Sequence, residues 1–226
     1  PSIPALPPQY SATIEVTDVI EGYTVHRWEE FDELNQRSRV DQYKSEQGWS
    51  DEVGDTTSIY DLVDNTFFHT NSLSDSPCVW GDMNHLPAEA LYEGVDASSG
   101  TAQIESAEQY FTWGSALNGT YLGTASVRGI LCDHWSQFEC DDFDGNGDCA
   151  SNYTMDYYFS SETWDIPESN GTRVPTRMRV QGGWWNTMDG YQSYHQVYEY
   201  TSFHVGPPEA WLFQHPCGMA CESVNA

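Results

Sequence analysis

Lysine is almost missing from this chain: Lys44 is the only one, and 8 basic residues in all face 35 acidic ones, for a formal charge of −27. A surface of that sign repels nucleic acid and anionic membranes, which excludes both as partners, and it gathers cations instead. Long apolar runs are missing too. No stretch approaches the roughly eighteen residues of a membrane span. Aliphatic residues are scarce, with Leu, Ile and Val totalling 31 of 226. Low hydrophobicity with high charge is also the signature of disorder. However, 9 Trp, 14 Tyr and 9 Phe are far too many aromatics for a solvated coil, so the chain folds, and aromatics fill much of its interior.

Catalytic signatures are equally absent. There is no HExxH and no GxSxG, and the 7 histidines form no close ligand pair, so neither zinc nor a serine nucleophile is supported. In Cys132-Asp133-His134, neighbours on a strand point to opposite faces, so Cys132 and Asp133 cannot form a relay. With so many acids, any carboxylate pair for glycoside hydrolysis is arbitrary. The expectation is a protein that is not an enzyme.

What is present points outside the cell. The chain opens at Pro1 without an initiator Met or signal peptide, as a mature secreted form would. Six cysteines stand at 78, 132, 140, 149, 217 and 221, an even number that allows fifteen pairings. Three sequons, at Asn118, Asn152 and Asn170, mark candidate N-glycans. An oxidising, extracellular setting follows.

The opening PSIPALPPQ holds four prolines in nine residues, so residues 1–9 form an extended arm. Its apolar Ile3 and Leu6, with Tyr10 just beyond, suit docking on a neighbouring copy, which would build a homo-oligomer or filament. Folding back onto its own domain is the alternative. From Tyr10 onward the pattern is β: YSATIEVT and GYTVHRWEEF alternate, then QRSRVDQY, TTSIYDLV and NTFFHT continue between turn residues. Ala and Glu at helical spacing over 86–93 and 105–113 predict one or two short helices. TYLGTASVRGILCDHW reads as one long strand bent or bulged at Gly123 and Gly129, and three more strands follow. No repeat or linker divides residues 10–226, which form a single mainly β domain of antiparallel strands.

FDELNQRSRVD, SPCVW, YLGTASVRGILCDHW, YYFSSETW with TRVPTRMRV, and VYEYTSFHVGPPEAWLFQHPCGMAC occur in that order. The set resembles the ependymin-related, LolA-like secreted proteins over roughly residues 10–221. VRGILCDHW and GPPEAWLF…PC are its most specific parts. The resemblance implies strongly curved antiparallel sheets with a few helices, able to enclose a hydrophobic pocket, in secreted, glycosylated, calcium-responsive and matrix-associated proteins. It also implies a Cys78–Cys132 bridge. If those two pair, Cys140–Cys149 and Cys217–Cys221 are the sequence-local choices for the rest.

CDDFDGNGDC, residues 140–149, is not part of that family pattern. Asp142, Asp144, Asn146 and Asp148 match the first half of a calcium loop, in which alternate oxygens converge because glycine permits the sharp turn. Tyr153 stands where an EF-hand needs its closing glutamate, so this is not an EF-hand; a stand-alone Ca2+ loop is the expectation, and a solvated acidic turn is the alternative. Trp184, Trp185, Tyr191, Tyr194, Tyr198 and Tyr200 crowd one segment; they either fill the core or face a sugar, and the core is favoured.

Three functions compete on these grounds. They are a calcium-stabilised structural or adhesive glycoprotein that self-assembles into a matrix, coat or filament, a secreted carrier of a hydrophobic or lipid ligand, and a carbohydrate-binding module. Leu, Ile, Val and Phe total 40 residues, below the roughly one fifth expected of a globular chain, so a large apolar cavity is hard to supply. Composition therefore ranks the structural role first and the carrier second.

Overall fold

The computed structural model describes residues 1–44, 54–73, 78–83, 94–96, 102–112, 117–141, 151–162, 172–186, 190–214 and 221–223. Its strands in chain order begin with β1 (Gln9–Asp18), β2 (Tyr23–Asp32), β3 (Arg37–Lys44), β4 (Thr56–Asp61), β5 (Thr66–Asn71) and β6 (Cys78–Asp82). The short pair β7 (Val95–Asp96) and β8 (Gln103–Ile104) precedes helix α1 (Ala107–Phe111). Five long strands follow: β9 (Thr120–Val127), β10 (Ile130–Asp141), β11 (Ser151–Ser160), β12 (Pro175–Asn186) and β13 (Gly190–Val205). β14 (Glu222–Ser223) is the last.

Twelve of these strands form one curved sheet in the order β14-β6-β5-β4-β3-β2-β1-β13-β12-β11-β10-β9, with β7 and β8 as a separate pair. Every neighbouring pair is antiparallel except β14 with β6. The mainly β, curved antiparallel architecture expected from the sequence is what forms, as one continuous sheet.

Alternation decides which face is covered. Along β1, Tyr10, Ala12, Ile14 and Val16 are buried while the residues between them are half-exposed. The register carries this inner face across the sheet, pairing Ile14 with Tyr200 and Val16 with Tyr198 on β13 and then Tyr198 with Met178 on β12. Trp135, Tyr157, Phe159 and Met155 continue it and are fully buried. α1 closes over this face through Phe111, whose ring lies 5.4 Å from Tyr157, 5.8 Å from Phe159 and 6.1 Å from Tyr200. Tilted aromatic packing of this kind takes the place that aliphatics hold in an ordinary core.

Buried aspartates fasten the hairpins. Asp18 accepts from the backbone N–H groups of Ile20 and Glu21, and Asp61 does the same for Val63 and Asp64. Asp32, wholly buried, caps the 3-10 turn Glu33–Asn35. Part of the acid excess is therefore turn chemistry and not free surface charge.

Three expectations meet a different arrangement. TYLGTASVRGILCDHW is two strands, not one: Arg128 (φ 50°) and Gly129 (φ 84°) are both left-handed, the conformation of a tight two-residue hairpin turn. Gly123 (φ 109°) does sit at a bulge, where the register shifts opposite His134 and Trp135. The helix expected over 105–113 forms as α1, with a Ser106–Gln109 capping box, whereas 86–93 lies outside the described residues.

The second difference concerns the cysteines. Cys78 pairs with Cys221, Cα atoms 4.8 Å apart, and not with Cys132. Cys78 on β6 and Cys132 on β10 stand near opposite ends of the twelve-strand order, and the Cys78 sulfur is already bonded to Cys221. Cys132 is a buried free thiol beside the Thr176 hydroxyl (3.1 Å), and Cys217–Cys221 is ruled out by the same bridge. Cys140 is disulfide-bonded, and Cys149, the partner expected from the sequence, lies outside the described residues. The Cys78–Cys221 bridge secures β14 at the edge of the sheet. There Ile59, Phe68 and Phe213 form a small second core on the outer face, with Arg37 stacked 4.7 Å from the Phe213 ring.

The third difference is the arm. Ile3 and Leu6 pack against the core of their own chain, and Tyr10 lies inside it, between Phe31 and Phe203. Pro1 accepts a hydrogen bond from the Trp135 indole (3.2 Å), and Pro8 accepts one from the Glu33 amide (2.9 Å). The arm crosses the inner face from β1 to β10 of its own chain, as the fold-back alternative expects. The free inner face, with its unfilled aromatic surface, is the nearest apolar partner available to a tethered segment.

Candidate functional site

Between α1 and the inner face lies a cavity of about 420 Å³. β1 and β2 give it Tyr10, Arg27 and Glu29, while β12 and β13 give Met178, Tyr198 and Tyr200. Gly94, Glu105, Tyr110 and Phe111 close the side toward the helix. Gly94 is required as such: it adopts φ 83°, and a Cβ there would stand 3.1 Å from the Tyr110 ring.

The polar floor is one tightly satisfied cluster. The Arg27 Nε donates to Glu29 Oε1 at 2.7 Å. Tyr110 donates its hydroxyl to the same oxygen at 3.1 Å, and Tyr10 donates to Oε2 at 3.2 Å. The Arg27 guanidinium also donates to the Tyr110 hydroxyl and sits 5.7 Å from that ring. Glu29 is buried, and a buried carboxylate is tolerable because each oxygen has a partner. Burial, and next the Glu29 charge, push the Tyr10 and Tyr200 hydroxyls well above the ordinary tyrosine range, so both stay neutral donors. Tyr110 stacks on Phe31 at 5.4 Å, which ties the helix side of the cavity to the sheet.

The residues singled out from the sequence fall in several places. Tyr10, Tyr198 and Tyr200 meet in the cavity, and Tyr194 packs partly against the core while Tyr191 is exposed. Of Trp184 and Trp185 the side chains are not described. Asn118 is exposed just before β9, and Asn152 is half-buried within β11, where its side chain accepts from the Tyr191 hydroxyl at 3.4 Å. Asn170 and the loop residues Asp142, Asp144, Asn146 and Asp148 lie outside the described residues. Among the described residues no cluster of three or more His, Cys, Asp or Glu could hold a metal ion. Arg27, Glu29, Glu105 and Tyr110 escaped the sequence reading. The one signal was an arginine and a glutamate at alternate positions on the apolar face of β2.

A short helix thus covers a partly aromatic cavity on the inner face of a curved antiparallel sheet. The chain matches the family model of the metazoan second LolA-like domain over residues 1–217, and it belongs to that LolA-like family. Comparison with curated proteins gives no match. Solved structures to which the chain is similar include an uncharacterized conserved protein from Thermus thermophilus, at 10% identity and TM-score 0.45, covering 96% of this chain and 91% of that one. LprF from Mycobacterium bovis is similar at 12% identity and TM-score 0.44, covering 89% of each chain. MucB, solved in complex with MucA(peri), is similar at 10% identity and TM-score 0.39, covering 92% of this chain and 54% of that one.

Proposed function

We propose that this chain is a secreted, non-enzymatic carrier domain that holds an amphipathic, lipid-like ligand between α1 and the inner face of the sheet. The cavity is the observation that carries this reading. Its volume falls within the roughly 300–1,000 Å³ of small-molecule sites, and its wall sets aromatic rings and Met178 beside the polar Arg27, Glu29 and Glu105, an amphipathic lining. LolA-like membership supports it. So does the arm, whose Ile3 and Leu6 already pack, partly buried, against the core of their own domain and so leave less apolar surface for a self-assembling filament. The chemistry of the floor supports binding over catalysis, because Glu29 is held by Arg27 and two tyrosines and is not poised as a base. The Cys78–Cys221 bridge is compatible with secretion.

A neutral, solvent-sensitive naphthalene probe tests the reading. Saturable binding with a blue shift, displaced by dodecanol and lost in Met178→Trp with the β-sheet circular dichroism intact, is the expected result. Absence of saturable binding, or equal binding by the filled variant, would overturn it.

A further inference from the structure

We infer that the Tyr200 hydroxyl is the recognition group of this cavity and donates a hydrogen bond to a neutral carbonyl oxygen of the ligand, as in a ketone or an acyl ester. The inference rests on the carrier reading above. Tyr200 lines the cavity and keeps only 8% of its surface exposed. Its ring is packed 6.1 Å from Phe111 and 6.2 Å from Phe203. Its hydroxyl, however, meets no hydrogen-bond partner among the described residues. The other polar side chains of the lining are committed. Arg27 donates to Glu29 and Tyr110, Tyr10 and Tyr110 donate to Glu29, and Tyr198 donates to Gln196 at 2.9 Å. Glu105 is engaged as well.

A purely apolar ligand would strip water from this hydroxyl and give nothing back, and a buried donor left unpaired bears its full desolvation cost. A ligand that brings an oxygen to it removes that cost, which is how a pocket rejects analogues lacking the polar atom. Burial, and next the Glu29 charge, hold the Tyr200 hydroxyl well above the ordinary tyrosine range, so it keeps its proton and donates. A carbonyl asks for a donor alone, whereas an alcohol brings an O–H that must be paired too. A carboxylate head is disfavoured for another reason. A buried anion needs a cation, and Arg27, the cation among the described lining residues, already serves Glu29. Met178 and Phe111 border the same space and offer apolar surface to a hydrocarbon chain.

The test is displacement of the naphthalene probe from the whole chain by 2-octanone, 2-octanol, octanoate and 1-chlorooctane, the last close to the ketone in size but without its acceptor. The ketone is expected to displace the probe at lower concentration than 2-octanol or octanoate. Tyr200→Phe keeps the ring and removes the donor. It should weaken the ketone by roughly 3–10-fold and leave the chloride unchanged or tighter. Tyr43→Phe, which takes the hydroxyl from an exposed ring outside the cavity lining, should change neither. Infrared spectroscopy supplies a readout on the wild-type chain alone. The C=O stretch of bound 2-octanone should fall below its value in hydrocarbon solvent, and it should return toward that value in Tyr200→Phe. A hydrocarbon-like stretch in wild type, equal effects of Tyr200→Phe on ketone and chloride, or tighter binding of 2-octanol or octanoate sinks the inference while the carrier reading stands. If the probe, the ketone and the chloride all fail to bind, the carrier reading falls and the inference falls with it.

Discussion

Replacing Asp32 should cost more stability than any other single surface-to-core change on the β1–β3 side of the sheet. Its carboxylate is wholly buried and accepts from three side chains and one backbone group. Gln9 donates at 2.7 Å, the Asn35 amide at 3.1 Å, the Asn35 side chain at 3.0 and 2.9 Å, and the Arg37 guanidinium at 2.7 Å. Those donors belong to the start of β1, the turn after β2 and the start of β3, so one group fixes three chain segments. Asp32→Ala removes every acceptor and leaves Arg37 inside without its counter-charge. Breaking one side of a buried pair costs about 3–5 kcal/mol, a large share of the roughly 5–15 kcal/mol of a typical domain. Asp32→Asn keeps the shape but turns an amide N–H toward the Arg37 guanidinium, so most of the loss should persist. The pH dependence separates charge from shape. Burial alone would raise the Asp32 pKa, but hydrogen bonds from Gln9, Asn35 and Arg37 outweigh it and hold the carboxyl below its ordinary value. A depressed folded pKa stabilises the native state above the unfolded pKa, and that contribution is lost as pH falls through the folded one. Urea unfolding at neutral pH and across the acid range reads both effects: Asp32→Asn should lie well below wild type at pH 7 and converge toward it in acid. A loss under about 1 kcal/mol, or a gap that does not close in acid, would refute the reasoning.

Three further outcomes follow from the cysteines and the sequons. Non-reducing peptide mapping should find a Cys78–Cys221 linkage and an unmodified Cys132, which burial also pushes above the ordinary thiol range and which should resist alkylation until the chain unfolds. Cys78→Ser with Cys221→Ser should lower stability by up to about 5 kcal/mol, the chain-entropy value for a separation of 143 residues, and a loss near zero would mean the unfolded chain is already constrained. Glycosidase treatment of protein from a secreting host should lower the intact mass through Asn118, which is exposed, more readily than through half-buried Asn152; an unchanged mass argues against glycans at either.

Alternation made the strands legible. In β1 and β2 the covered residues are the ones the two-residue period selects, and the fold family followed from motifs spread along nearly the whole chain. Cavity and bridge were less accessible, for different physical reasons. Counting Leu, Ile, Val and Phe argued against a cavity, yet four tyrosines help to line it; the hydroxyls of Tyr10 and Tyr110 find Glu29 and that of Tyr198 finds Gln196, while the rings serve as apolar surface. Arg27 and Glu29 stand two residues apart on an otherwise apolar face, and only the third partner, Tyr110, more than eighty positions away, makes that arrangement coherent. Cys78–Cys221 depends on the path of the whole sheet, because the C-terminus returns to the edge that β6 occupies. Local spacing carries no information about a closure over 143 residues.

The arm that runs from β1 to β10 behaves mechanically as the tie of an arch. Both of its ends are fixed, at Glu33 through Pro8 and at Trp135 through Pro1, and the prolines between limit how far it can stretch or slacken. An extended proline-rich segment advances about 3 Å per residue, so inserting or deleting one residue between these anchors resets the span by that amount. The width between the two flanks of the sheet would then change without any substitution in the cavity wall. On the carrier reading, the number of residues between the Pro1 and Pro8 anchors is thus a dial on ligand size, one that a designer can turn while leaving every cavity residue in place.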